Sequence, residues 1–347
     1  MSSSRKRASS KYRSRVSADK VIAFSMSYQR DNLLARGMGL EHLRDLLIRL
    51  ARPLLRDAAN LAYGGHWKET EDNFTFDLLR LVSAEQEDNS SENESAEKQK
   101  IGMLYNHSSW PYYLDITTRI EAQWINCCRI VRVTQQDAGF TDAEIVRNED
   151  AWSKDARTIF NTAVTTSAMR RIMTEGTSIP IAGAASEAVP PVAARILLGG
   201  KADSYSGFMP GIFEEALLSL EKGCPVYVLG GFGGAAEILA KAILAEGGDR
   251  PAELTLAWQQ AHNAELVKLL DGARGLRPPS NFRSTEPLLD ALFRFVLAAR
   301  SNLSETLKTG LSDEDTRDLL TTQSVPDAVR LVRTGLRGRS LLSTLPA

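Results

Sequence analysis

The sequence predicts an α/β fold in which a doubly wound, mostly parallel sheet carries a helical C-terminal segment. Three observations predict it. Short apolar runs alternate with amphipathic helices through most of the chain, three of the runs end in a glycine pair, and beyond about residue 247 only helical periodicity remains.

The elements follow in order. VIAFSMS (21–27) reads as a buried strand, and HLRDLLIRLARPLLRD then places Leu43, Leu46, Leu47, Leu50 and Leu54 at helical spacing. ANLAYGG (59–65) is the second strand, followed by a helix near FTFDLLRLVSA. IGMLYN (101–106) and NCCRIVRVT (126–134) are the third and fourth, and DARTIFNTAVTTSAMRRIMTEG (155–176) is a long helix that Gly176 caps. ARILLGG (194–200) and CPVYVLGG (224–231) complete the strands, with GIFEEALLSLEKG as the helix between them. In the C-terminal part EPLLDALFRFVLAAR has a broad apolar stripe. SDED (312–315) is a capping box, and SVPDAVRLVRTGLRG starts at Ser324 and Pro326 and stops at Gly335.

Composition narrows the function classes. Lys and Arg number 42 against 43 Asp and Glu, so no global charge drives the chain to nucleic acid or an anionic membrane. The stretch 1–18 is a basic tail expected to be disordered, with six Lys/Arg and no acid in its first fifteen residues; nucleic acid enters only through it. Residues 84–100, AEQEDNSSENESAEKQK, read as a disordered acidic loop inside a sheet domain spanning 19–246, and 247–347 form the helical segment. Cys127, Cys128 and Cys224 read as reduced, buried thiols, and no apolar run is long enough to span a membrane, so a cytoplasmic protein is expected. His66 and His107, each placed just after a strand, have no Cys, His or Asp spacing for a metal or a triad.

In a doubly wound sheet ligands sit at the carboxyl ends of the strands. Gly64–Gly65, Gly199–Gly200 and Gly230–Gly231 all fall there, and a glycine pair lets backbone approach a ligand closely. Gly231-Phe232-Gly233-Gly234-Ala235-Ala236 satisfies G-x-G-x-x-A between a strand and a helix, where free N–H groups favour phosphate, but no following strand brings an acidic ribose ligand. GGKADSYSGFMPGIFEEALL (199–218) offers a second anion site: Gly207 and Gly211 relax the loop, Met209 and Pro210 lead into the helix, Lys201 adds charge, and Glu214 and Glu215 sit in the first turn. Of Arg170 and Arg171, about 100° apart on the long helix, at most one faces a pocket, where it would meet a phosphate or Glu215. Ser25 and Ser27, ending the first strand, complete the candidate ligand-binding set. No G-x-x-x-x-G-K-[ST] occurs.

AFSMS, AYGGHW, MRRIM, GGKADSYSGFMPGIFEEALL and YVLGGFGGAA together resemble the SLOG superfamily over roughly residues 20–245, in its prokaryotic TRPM-like branch; Lonely-guy enzymes and DprA are grouped in the same superfamily. The resemblance implies a Rossmann-like domain that binds a nucleotide derivative such as ADP-ribose or cyclic ADP-ribose, and a sensor in a prokaryotic nucleotide-signalling or defence system. It implies a small-molecule nucleotide ligand rather than a required cofactor, and either a stand-alone sensor or one whose effector protein is encoded separately; a homo-oligomer is expected. The enzyme alternative is a nucleoside monophosphate phosphoribohydrolase of Lonely-guy type, with Arg170 and Glu215 as the catalytic pair. Phe208 and Met209 stand where that loop has glycines, and Ile212 stands for its threonine. A further alternative is an assembly scaffold with a vestigial pocket.

Overall fold

The computed structural model describes residues 20–91, 101–180 and 186–343. The basic tail, residues 92–100 of the acidic segment and the last four residues lie outside the described residues. The strands are β1 (Val21–Ser27), β2 (Asn60–Tyr63), β3 (Leu104–Ser109), β4 (Cys128–Val133), β5 (Thr177–Ile179), β6 (Glu187–Val189), β7 (Val192–Gly199) and β8 (Val226–Leu229). The helices are α1 (Arg30–Leu34), α2 (Leu40–Arg56), α3 (Phe74–Ser91), α4 (Thr118–Trp124), α5 (Ala156–Glu175), α6 (Gly211–Glu221) and α7 (Gly234–Leu244). The C-terminal part adds α8 (Leu256–His262), α9 (Ala264–Ala273), α10 (Thr285–Ser301), α11 (Leu303–Leu307), α12 (Asp313–Thr321) and α13 (Val325–Gly338).

The six long-run strands form one parallel sheet in the order β4-β3-β2-β1-β7-β8, a Rossmann-like arrangement. Strand order reverses between β1 and β7, so the topological switch point lies beside Ser27 and Gly199, which pair in register. β1 is buried on both faces, which is why its sequence is a continuous apolar run rather than an alternation. One face carries α2, α3 and α13; the five leucines expected to point inward on α2 are all buried. The other carries α5, α6, α7 and α10. The C-terminal helices share the core of the sheet domain: α10 lies on α6 and α7, and α12 on α7 and β8.

Four expectations change. α3 continues to Ser91 through the first half of the acidic segment, because Glu85 is buried and takes Arg52 Nε at 2.8 Å and Arg56 Nε at 2.5 Å. β3 ends at Ser109, three residues later than expected, so His107 lies inside the strand rather than after it. α13 passes through Gly335 to Gly338, since Gly335 is a contact glycine: a Cβ there would sit 2.5 Å from the Thr309 carbonyl oxygen. The short antiparallel pair β5–β6 was not anticipated. The other caps behave as expected, with Gly176 closing α5 at φ 79° and Ser312 accepting the Asp315 N–H.

Candidate functional site

Because β2, β1, β7 and β8 are consecutive in a parallel sheet, their carboxyl ends form one edge. At the centre, Gly199 and Gly200 take φ 62° and 91°, and Gly200 donates its N–H to the Ser27 carbonyl at 3.0 Å. The Gly200 carbonyl accepts from Ala235 at 2.9 Å, and a Cβ on Gly234 would sit 2.3 Å from that same oxygen. The close approach of these two glycine turns locks the β7 end to the start of α7. Arg36 lies against Gly233 and donates to the Asn32 carbonyl and to Glu237. Although burial works against it, Lys241 and Arg36 hold the Glu237 carboxyl below its usual range.

The second wall is built on the amino end of α6. Pro210 caps that helix without a side-chain bond, and a Cβ on Gly211 would sit 2.8 Å from Arg170 Nη2. A Cβ on Gly207, at φ 112°, would sit 3.7 Å from Arg170 Nη1, an ordinary contact. The missing side chain at Gly211 lets the Arg170 guanidinium lie across the helix start. Glu214 takes Arg170 Nη1, and Glu215 Oε1 lies 3.5 Å from Arg170 Nε. Burial alone would lower the Arg170 pKa; the charges of Glu214 and Glu215 outweigh it and raise it. Arg171 turns outward to Glu175 at 3.1 Å.

Beneath Glu215 lies a group the sequence reading missed. Arg195 on β7 is 0% exposed and donates to Glu215 Oε2 at 2.7 Å, Ser25 Oγ at 2.9 Å, Ser219 Oγ at 2.7 Å and Thr174 Oγ1 at 2.9 Å. Burial lowers its pKa, with Glu215 acting in the opposite direction. Ser25 also donates to Glu215, so its hydroxyl is engaged inside this network. The available signal was a lone arginine inside the apolar run VAARILLGG: a charge in a strand buried on both faces requires a buried partner.

The remaining candidates divide by exposure. Gly64, Gly65, Ser27 and Gly211 are half-buried and Lys201 is exposed at the edge, while Gly64 backs onto Met169 and Met173 of α5. Met209 and Phe232 do not turn their side chains to the edge; both are buried in the core. Phe208 packs its ring 4.7 Å from that of Phe282. Gly230 and Gly231 face the end of α12, where a Cβ on Gly231 would sit 2.0 Å from the Thr322 carbonyl oxygen. The glycine cluster therefore splits: Gly233 and Gly234 lie beside the β7 turn and Gly230 and Gly231 beside α12.

His66 is exposed at the edge, with Nδ1 3.3 Å from Asn73 Nδ2. His107 is buried with neither ring nitrogen in a well-formed hydrogen bond, and burial pushes it down to about 3, against a smaller pull from the Tyr105 backbone. A folded pKa below the ordinary 6.5 means that the unfolded chain takes up a proton first. Stability from neutral His107 is complete above pH ~6.5 and is lost as pH falls toward 3. His107→Leu is expected to fold, since no bond is broken, and to flatten the fall of unfolding free energy below pH 6.5 by up to one proton, about 1.4 kcal/mol per pH unit. Denaturant titrations at several pH values check this; identical pH slopes for both proteins would refute it.

Among the described residues no cluster of three or more His, Cys, Asp or Glu is placed to hold a metal ion, and no helix is long and apolar enough to cross a membrane. No curated protein matches the sequence. A family model described as SLOG cluster2 matches residues 16–319, past the boundary expected near residue 246 and through most of the C-terminal helices. With that span, the parallel sheet and its glycine-ended strands, the chain belongs to the SLOG family.

Proposed function

We propose that this chain binds a nucleotide derivative of the ADP-ribose or cyclic ADP-ribose type and acts as a sensor rather than a hydrolase. Family membership supports a nucleotide-related function in general. The observation that carries the finer reading is the Arg170 guanidinium laid across the amino end of α6, which has no side-chain cap, beside the switch point. A fork of N–H donors and a helix dipole together favour a phosphate group. In this reading the ligand's phosphates take the Arg170–Gly211 wall and the Gly199–Gly200 and Gly233–Gly234 turns, with Lys201 at the rim. The signalling or defence context, a separately encoded effector and self-association belong to the same proposal.

The phosphoribohydrolase reading has one observation in its favour, the Arg170–Glu215 approach of 3.5 Å. Arg195 counts against it. A carboxylate already compensated by a buried guanidinium at 2.7 Å and by the Ser25 hydroxyl has less charge to offer a developing ribosyl cation.

Calorimetry with ADP-ribose, cyclic ADP-ribose, NAD and AMP tests the proposal. At least one is expected to bind well below 1 mM, and Arg170→Gln to weaken it about 10- to 100-fold, the worth of a charge-assisted hydrogen bond. Absence of binding by all four would overturn the sensor reading. Release of free base from a nucleoside monophosphate, lost in Glu215→Gln, would replace it with the enzyme.

A further inference from the structure

A second group of side chains gathers at the carboxyl edge of the sheet, outside the phosphate walls. Parallel strands send their following loops to one side, so the loops after β2, β3, β4 and β7 share that edge. Lys68 stands in the first, Tyr112 in the short 3-10 turn Tyr112–Asp115 of the second, Trp152 in the third and Ser206 in the fourth. The Tyr112 and Trp152 rings make a T-shaped contact, with centroids 6.0 Å apart and planes at 67°. Lys68 Nζ lies 4.9 Å from the Trp152 ring centroid and 3.4 Å from Asp115 Oδ2, at the end of the turn that carries Tyr112.

Tyr112 joins this group to the phosphate wall. Burial raises its pKa, and the Arg170 charge, a hydrogen bond with Ser206 and the Lys68 charge oppose the rise, so its hydroxyl lies within reach of all three. Ser206 directly precedes Gly207, where a Cβ would sit 3.7 Å from Arg170 Nη1. A line of side chains therefore runs from Trp152 through Tyr112 and Ser206 to Arg170. Its outer end is in water: Trp152 is 49% exposed in spite of its two neighbours, and among the described residues it is the only exposed aromatic ring. The other exposed large apolar side chains belong to other elements, Leu34 to α1 and Ile125 to the approach to β4 at the opposite edge.

We propose that Trp152 and Tyr112 form the base subsite of the nucleotide edge: the ligand's adenine stacks on Trp152, and its phosphates pass Tyr112 to reach the Arg170–Gly211 wall. This rests on the nucleotide reading above and adds to it a place for the base. A ring exposed among Lys68, Tyr112 and Asp115 suits a flat heteroaromatic partner, which binds through its π-face. It suits a protein partner less well, because a protein interface is built around an apolar centre and Trp152 has charged and polar neighbours. Lys68, whose side chain is 60% exposed, is free to yield the ring to the base and follow the phosphate charge.

ADP-ribose, cyclic ADP-ribose, NAD and AMP all carry adenine, and ribose 5-phosphate is the control without a base. Calorimetry on the full chain should show Trp152→Leu weakening the tightest of the four by about 5- to 100-fold, the usual worth of a stacked base. Ribose 5-phosphate should change by less than about twofold, and Trp152→Phe should keep the adenine ligand within about threefold of wild type. The same ligand should quench tryptophan emission of the wild type, and the quench should disappear in Trp152→Leu, a readout that does not depend on how tightly ribose 5-phosphate binds. Wild-type affinity and an unchanged quench in Trp152→Leu would overturn the base subsite and leave the nucleotide reading standing. Equal weakening of the adenine ligand and of ribose 5-phosphate would overturn it too, since the ring would then act on the sugar–phosphate part. Absence of binding by all four adenine ligands to the wild type would overturn both.

Discussion

Arg195→Met is expected to lower the unfolding free energy by about 3–5 kcal/mol, the usual consequence of removing one partner from a buried ion pair. Methionine fills much of the arginine stem's volume, so the loss comes from polar groups left behind rather than from a cavity. Four acceptors lose a donor: Glu215, Ser25, Ser219 and Thr174. The Glu215 carboxylate would keep only Ser25 and the more distant Arg170, at 3.5 Å. Removing its charge as well should recover part of the loss. Arg195→Met with Glu215→Gln is therefore expected to be more stable than the sum of the single effects predicts, by about 1–3 kcal/mol. Urea titration of the four proteins of that cycle measures the coupling. A single variant within 0.5 kcal/mol of wild type, or strict additivity, would mean that the network does not hold β7 to α6.

This network also marks the limit of what the sequence disclosed. Strands buried on both faces were legible because most of their residues are apolar; β1, apart from its serines, and β7, apart from Arg195, are the clearest cases. β3 was cut short at Asn106 because His107, Ser108 and Ser109 look like loop residues, yet all four are buried. Their polarity is absorbed only in part, by Trp67 on Asn106 and Thr166 on Ser109, contacts made by residues distant in sequence. The acidic segment misled in the opposite way, since Glu85 is a buried anchor for two α2 arginines. At the site, Arg170, Gly211 and Glu215 were legible from a family-like spacing, whereas Arg195 and Arg36 were not. A side chain that reaches a site from across the sheet or over a loop leaves no local pattern.

The glycine pairs show the same division, and Gly231→Ala tests it. The backbone of Gly231 is not left-handed, so alanine meets no conformational penalty there; the obstacle is space. Its Cβ would sit 2.0 Å from the Thr322 carbonyl oxygen, 2.5 Å from the Thr322 carbonyl carbon and 2.7 Å from the Thr321 carbonyl oxygen. These are all backbone atoms at the end of α12, and backbone cannot rotate aside as a flexible side chain does. The helix must move away, at an expected cost of about 3 kcal/mol, the upper end of ordinary overpacking. Loss of packing should run into α13, which follows directly, and show as faster amide exchange in both helices while β1 and β2 stay protected. Were Gly231 instead part of a phosphate floor, the substitution would weaken nucleotide binding with little change in stability. The expected pattern is the reverse, a destabilised C-terminal helical layer with ligand affinity in the folded protein within about twofold of wild type, a change of roughly 0.4 kcal/mol. By contrast Gly234→Ala would drive a Cβ to 2.3 Å from the Gly200 carbonyl oxygen at φ 66°, and should damage stability and ligand binding together. If both variants lose binding in parallel, the cluster is one functional turn; if only Gly234→Ala does, its first half docks α12 and its second half belongs to the edge where Arg170 waits.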